Sequence, residues 1–425
     1  MRRSLLYTLQ TFLLGLAGMC FGACGAGSLV EDFRTAIRTD PTYAMALAEF
    51  DSGALRSRIA SMAYFPEARI SATQLDNEGA SRTTISVLQP LLSYDRWLTL
   101  TESDPLLGLA LSKLSASQSE LALRIYKVIA VVLEAKGRLQ LNESTLQTIH
   151  TQYQSAVARY RLGQGTITDV RDTEVRLSQI RAQAISLRGS LQSGIRQYEA
   201  ILGLGTPLDR LMLFRLSDAL VSPPDLPHHL DQSSSIQRHP AVRVAEQSLR
   251  LAEIAAKRAR ASQYPSVVAS AQRSKIDGNQ SLSSSGIVLR MEVPIQAASI
   301  FRGASADLEL RRVQQQQRET IQRISLDIAR LSEQLLGAYA ELVALNEAVI
   351  VAQQSVEATE KSFSGGVRTR IDVLNSLQTV YQLKTDYLTS LLRYGELHLS
   401  LDLAGAVEPE VALGRLESAL FSRAN

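Results

Sequence analysis

Apolar side chains recur at steps of four and three along much of this chain. From Ile324 the series runs through Ile328, Leu331, Leu335, Ala338, Leu342, Leu345 and Val349 to Ala352. Such spacing makes one seam of a coiled coil. A second line through Leu336, Val343 and Ile350 widens the apolar face, as a helix with neighbours on two sides requires. The run from about Arg302 to Phe363 holds almost no helix breaker, and at ~1.5 Å per residue it predicts a helix ~90 Å long. An equivalent run extends from about Asp104 to Tyr160. Its return helix carries Leu177, Ile180, Ala184, Leu187, Leu191 and Ile195 at the same spacing.

Ahead of each long run the period changes to two. Ala68 to Gln74 and Thr83 to Leu88 form one alternating pair, and Ser266 to Gln272 and Gly286 to Val293 form another. Ile287, Leu289, Met291 and Val293 alternate with Val288, Arg290 and Glu292, so these segments predict strands with one apolar and one polar face. Leu75–Gly79 and Asp277–Asn279 supply turns. A proline-bounded helix precedes each pair, from Pro41 to Pro66 and from Pro240 to Pro265, at equal separations. The chain is therefore a tandem repeat. Its domains divide as a leader over 1–25, a first repeat over 28–203, a linker over 204–238, a second repeat over 239–406 and a tail over 407–425 that, like the linker, breaks the pattern. Within the repeats the strand pairs lie at about 67–91 and 266–294, and the helical hairpins at about 104–203 and 302–405.

Each hairpin turns on the same octapeptide. Gly163-Gln-Gly-Thr166-Ile-Thr168-Asp169-Val170 matches Gly366-Val-Arg368-Thr369-Arg-Ile-Asp372-Val373. The glycine sits just past a helix end, where positive φ is wanted, and the threonine caps the next helix with an aspartate three residues on.

Composition adds limits. The 425 residues are 45% hydrophobic and 5% aromatic with a formal net charge of +3, which favours helices packed through aliphatic residues and makes nucleic acid an unlikely partner. Arg2-Arg3, an apolar stretch from about Leu5 to Phe21 and the small cluster Gly22–Ala26 have the layout of a secretory signal peptide. Both cysteines, Cys20 and Cys24, lie in it. Two readings stand for Cys24: acylation after a lipobox-like Phe21-Gly22-Ala23, or removal by cleavage after Gly25 or Ala26. Beyond the leader no run of ~18 or more apolar residues stands out, so any membrane crossing uses strands. Four strands cannot close a barrel, and open edges are not tolerated in lipid, so copies of the chain must pool their strands. Histidines His150, His228, His229, His239 and His398 form no metal-ligand pattern, and phosphate-loop and nucleophile-elbow motifs are missing. The chain reads as a non-enzyme without metal or cofactor.

These residues resemble the TolC family of outer-membrane efflux and type I secretion channels over roughly Leu29 to Val407. The resemblance rests on the duplicated proline-bounded helices, the strand pairs ending near Gln89-Pro90 and Val293-Pro294, the two corners, and Leu403-Ala-Gly405. It implies a mainly α fold with a small β part: a homotrimer with a twelve-stranded outer-membrane β-barrel and a periplasmic α-barrel. It also implies an inner-membrane transporter and a periplasmic adaptor as partners, with outer-membrane lipid around the barrel. Residue by residue, Thr168, Asp169, Phe363, Arg368 and Asp372 fall at gate positions of the pore entrance. Arg368 would meet a carboxylate or carbonyl of the first repeat, with Asp169 the leading candidate. Phe363 replaces a family tyrosine and Asn375 a family aspartate. Capping alone also accounts for Asp169 and Asp372, and both roles can coexist. The competing classes are a periplasmic adaptor, which would need flanking lipoyl-like domains, and a structural coiled coil without a pore.

Overall fold

The computed structural model describes residues 28–74, 81–203, 232–277, 282–294 and 298–420. The leader with Cys24, both strand-pair turns and most of the linker lie outside the described residues. In chain order the elements are α1 (Leu29–Thr39), α2 (Pro41–Ser61), β1 (Glu67–Gln74), β2 (Ser81–Leu92), α3 (Tyr94–Thr101), α4 (Ser103–Arg161) and α5 (Ile167–Leu202). There follow α6 (Gln232–Arg238), α7 (Pro240–Arg260), β3 (Ser266–Asp277), β4 (Leu282–Glu292), α8 (Ala298–Ser364), α9 (Arg370–Ala404) and α10 (Pro409–Leu420).

Each repeat lays two shorter helices end to end along one long helix. Against the 59-residue α4, α2 is fastened by Lys113–Glu49 and Arg124–Asp40 ion pairs of 2.6 and 2.8 Å. Farther along α4, α5 comes so close that a Cβ on Gly194 would lie 3.0 Å from Val132. The 67-residue α8, ~100 Å long, takes α7 through Arg260–Asp307 and α9 through Tyr339 beside Tyr394. The seam residues Ile328, Leu335, Ala338, Leu342 and Val349 are buried, as are Leu177, Ile180, Ala184 and Ile195 of the return helix. Leu336 and Ile350, on the second apolar line, remain 45% exposed in the single chain. Because α8 is apolar on both lines, it is long and apolar enough to cross a membrane. This differs from the expectation that no such run follows the leader. The buried seam gives the helix its packing without lipid.

The main core lies where the repeats meet at mid-length and gathers α1, α4, α5, α8, α9 and α10. Tyr126 of α4 is fully buried and donates a 2.8 Å hydrogen bond to the Leu392 carbonyl of α9. Burial pushes its phenol pKa upward. Gly395 makes this approach possible, since a Cβ there would collide with the Tyr126 hydroxyl and with Leu420. The tail, expected like the linker to break the pattern with one short helix at most, forms α10, with Pro409 in its first turn and Ala412, Leu413, Leu416 and Leu420 buried. Its Glu417 accepts from Leu29 N and Ser28 Oγ at 3.1 and 2.8 Å, capping α1 from the far end of the chain.

The four strands form one antiparallel sheet in the order β1-β2-β3-β4, so β2 and β3 join the repeats. The register puts Ile70, Ile85, Val87, Ala271, Ile287, Leu289 and Met291 on one face and Thr84, Ser86, Gln272, Ser274, Arg290 and Glu292 on the other. On β2 and β3 the first set is exposed while Thr84, Ser86 and Ser274 are half-buried, so the apolar face is convex. Strand β3 runs five residues beyond the expected Gln272, because Arg273, Ser274 and Lys275 carry no apolar alternation although their backbone pairs continue to Asp277. At the helical end Tyr94 packs 5.5 Å from both Trp97 and Tyr264.

The Gly395 contact yields a prediction. Gly395→Ala should destabilise the fold by ~1–3 kcal/mol through overpacking, whereas Gly189→Ala, with open space around its Cβ, should be neutral or slightly stabilising. Thermal unfolding of the two variants distinguishes them, and equal melting temperatures would contradict the packing account.

Candidate functional site

Both corners are built by local backbone rules. Gly163 and Gly366 have φ of 70° and 75°, the left-handed region that a side chain would strain. At the first corner Gly163 N–H donates to the Tyr160 carbonyl and Gln164 N–H to that of Arg159, at 3.0 and 2.9 Å. At the second, Gly366 donates to Phe363 and Val367 to Ser362, both at 3.0 Å. This two-bond pattern satisfies the last carbonyls of α4 and α8. The next helix then starts on a reciprocal cap: Thr166 N–H donates to Asp169 at 3.2 Å and Asp169 N–H to Thr166 Oγ1 at 3.2 Å. Thr369 and Asp372 repeat it at 2.9 and 3.3 Å. Hydrogen bonds from the Thr369 backbone and hydroxyl, helped by nearby Arg368, hold the Asp372 carboxyl below its usual range. The cap is therefore intact at neutral pH and is lost only as pH falls through that depressed value.

The remaining site residues divide between solvent and cross-repeat contacts. Thr168 and Arg368 are exposed, and among the described residues Arg368 forms no ion pair with Asp169. Arg368 stands nearer Asp372, whose charge it stabilises. The residue that reaches the first repeat is Arg370, which is only 7% exposed. Its Nη1 donates to the Gln152 carbonyl at 3.2 Å and to Gln152 Oε1, and its guanidinium lies 4.9 Å from the centre of the Phe363 ring. Arg159 of α4 stands 5.1 Å from the same ring. Phe363 is thus held between cations of both repeats, the role its aromatic face suits and its lost hydroxyl does not affect. Burial, with a lesser push from Arg159, lowers the Arg370 pKa against the pull of Asp169. Asn375 accepts from Arg176 at 3.3 Å, a hydrogen bond from a cation to an uncharged amide across the repeats where an aspartate would have made an ion pair.

A cleft of about 560 Å³ opens beside this contact, lined by Thr148, Gln152, Arg159, Glu360, Phe363 and Arg370 among others. Arg370 escaped the sequence reading, yet a signal existed. The corners match at Gly, Thr, Asp and Val, but where the first has Ile167 the second has Arg370. Among the described residues no group of three or more histidine, cysteine or acidic side chains could hold a metal.

With this geometry in place, the chain can be set beside known proteins. The family described as Outer membrane efflux protein matches residues 232–402. The alkaline protease secretion protein AprF of Pseudomonas aeruginosa is 23% identical over 92% of this chain and 88% of its own. The outer membrane protein TolC of Escherichia coli K12 is also 23% identical, over 78% of this chain and 70% of its own. Among solved structures, the outer membrane protein VceC of Vibrio cholerae superposes with a TM-score of 0.73 at 16% identity, covering 91% of this chain and 96% of that one. Its likeness carries the fold.

The Arg370 contact makes a prediction. Arg370→Met keeps the stem but removes the charge-assisted bonds to Gln152, which should loosen the corner by ~1.5–3 kcal/mol. Amide hydrogen exchange over 149–159 and 360–373 should accelerate, while Arg368→Met should leave both segments as they are. Equal exchange in the two variants would refute the assignment.

Proposed function

This chain belongs to the TolC-like family of outer membrane efflux proteins, and from that premise we propose how its residues build and close an export channel. The protein is an outer-membrane channel that extends into the periplasm and passes small molecules or proteins outward. Channels of this family work as trimers with a periplasmic adaptor and an inner-membrane pump.

The observation that carries the reading is the four-stranded sheet with a convex apolar face and two open edges, mounted on ~100 Å of helix. Edge strands in lipid must be paired. Strand directions alternate, so β4 of one copy meets β1 of the next in antiparallel sense, and three copies supply twelve strands. The exposed apolar side chains of α2, Met45, Leu55 and Ile59, and of α8, Leu336 and Ile350, give neighbouring copies surfaces to pack on. An adaptor or a poreless coiled coil has no use for such a sheet.

The corners form the periplasmic mouth. Within a copy, Arg370, Phe363 and Arg159 hold the second corner to the first. Thr168, Asp169, Arg368 and Asp372 are the exposed or half-exposed polar groups left to face the pore and adjacent copies. Each exposed pair there is worth only ~0–1 kcal/mol, multiplied by threefold symmetry. A docking adaptor can overcome a bias of that size.

Two measurements test this reading. Lysine at Leu289, on the convex face, should cost ~2–4 kcal/mol if it lies near the bilayer midplane and impair trimer assembly on unheated gels, while Arg290→Gln on the concave face should be mild. Equal tolerance would sink the barrel. Separately, Asp169→Ala or Arg368→Ser should raise single-channel conductance in planar bilayers with the trimer intact. Unchanged conductance would leave both residues as solvated helix-end groups.

A further inference from the structure

The concave face of the sheet carries more arginine than carboxylate. Among the described strand residues of this face the acids are Glu67 and Glu292, and each already has a cation: Arg96 lies 2.7 Å from Glu67, and Arg290 3.6 Å from Glu292. Arg69 and Arg82 are exposed and form no ion pair among the described residues. Arg69 shares its row with Ser86, Gln272 and Gly286, and Arg82 its row with Thr73, Ile276 and Leu282, so no acid stands in either row. Between these rows lies one made wholly of hydroxyls, Ser71, Thr84, Ser274 and Ser284, in which Thr84 and Ser274 share a 3.2 Å hydrogen bond. Whatever pairing neighbouring copies make, two arginines per copy are left over on this face.

In the barrel this face encloses the water-filled duct. Twelve strands ~4.8 Å apart at a tilt of ~40° close at a diameter of ~24 Å, so the axis lies ~12 Å from the wall and nearer to the ends of the arginine side chains. The Debye length at physiological ionic strength is ~8 Å. The field of the surplus arginines of three copies therefore reaches across the duct, and a low-dielectric wall focuses that field along it. An inert polar lining would need only the serines, threonines and glutamine that fill the other positions. The hydroxyl row between the arginines can also donate to a passing carboxylate or phosphate as readily as to water.

We propose that Arg69 and Arg82 make the barrel segment of the duct selective for anions, so that the exported substrate is one that presents carboxylate or phosphate groups on its way out. The periplasmic mouth does not share this excess, because Asp169 and Asp372 there have Arg370 and Arg368 within electrostatic reach. Arginine suits the task, since its charge persists at every pH the envelope meets and its planar fork matches both anionic groups. The assignment rests on the barrel reading above.

The test reads the potential inside the duct. In the purified trimer in phosphatidylcholine nanodiscs, Ser71→Cys puts a thiol in the hydroxyl row, and its rates with an anionic and a cationic methanethiosulfonate are compared, each corrected for the trimer without the added cysteine. With both arginines present the anionic reagent should be favoured relative to a free thiol, and the preference should fade in 1 M salt, where the Debye length is ~3 Å. Arg69→Gln/Arg82→Gln should lower the rate ratio by about sevenfold for each kT of potential lost, and Arg69→Lys/Arg82→Lys should retain it. Under a KCl gradient across planar bilayers the glutamine variant should shift the reversal potential towards cations, while Arg273→Gln on the convex face should leave it in place. An unchanged rate ratio or reversal potential in the glutamine variant, or an equal shift with Arg273→Gln, would overturn the proposal. Leu289→Cys separates the two readings, since neither reagent should label a thiol that faces lipid. Labelling there as fast as at Ser71→Cys means that the convex face is wet, so the barrel fails. Protection at Leu289→Cys together with an unchanged ratio at Ser71→Cys means that only the arginine assignment fails.

Discussion

Everything in this fold depends on the backbone hydrogen bonds of a four-stranded sheet that has no way to close on itself. In water an open edge is tolerable, but in hydrocarbon each unpaired N–H or C=O costs several kcal/mol. The remedy is more strands of the same sheet, and the even strand number lets identical copies supply them edge to edge in antiparallel order. Duplication within the chain follows the same logic. Each repeat delivers one strand pair on top of one helical hairpin, and the β2–β3 pairing fuses the two into a continuous wall. The convex apolar face and the concave polar face then need no further arrangement, since strand alternation produces both at once.

The helices meet a different constraint. A wall of uniform height needs every long helix to have a partner along its whole length, yet the chain must also leave the hairpin to form the sheet. It does so by splitting the partner: α2 and α5 divide the length of α4, and α7 and α9 that of α8. The breaks fall at mid-length, where ends would otherwise be exposed. There α1 and α10 cover them, and Asp40 both caps α2 and pairs with Arg124. Glu417 caps α1 from the opposite end of the chain.

Much of this was legible in the sequence because it is written in short-range rules. Heptad spacing gave the seams, paired prolines gave the register of the repeat, and the Gly-Thr-Asp spacing gave corners whose glycines have positive φ and whose caps are reciprocal. What escaped depends on partners far away in the chain. Helix α10 has only twelve residues, and although Leu413, Leu416 and Leu420 keep the three-and-four spacing, its burial comes from α1 and α9. Apart from Ile276 the outer part of β3 is polar, and its ladder with β2 and β4 keeps it extended. Arg370 belongs to a corner motif by position, but its role is set by Gln152 and by the Phe363 ring it shares with Arg159.

Burial is distributed unevenly along the paired helical hairpins, so the two repeats are held together more firmly at one end than at the other. At mid-length one large cluster joins both repeats, with Tyr126, Tyr387, Leu335 and Leu342 all but sealed from solvent, and the Gly395 contact leaves no slack. Near the corners the cluster that spans the repeats shrinks to Ile149, Leu177, Ile180 and Leu374. Beyond it the repeats touch through one buried arginine, a shared aromatic ring and a long Arg176–Asn375 bond. Buried apolar area stabilises in proportion to its extent, at about 25 cal/mol per Å², whereas half-solvated polar contacts contribute far less. Within the chain the contact between the repeats is therefore weakest at the corners. The reciprocal caps limit what separation there would cost, because each corner carries its own hydrogen bonds and needs none from its neighbour to stay folded.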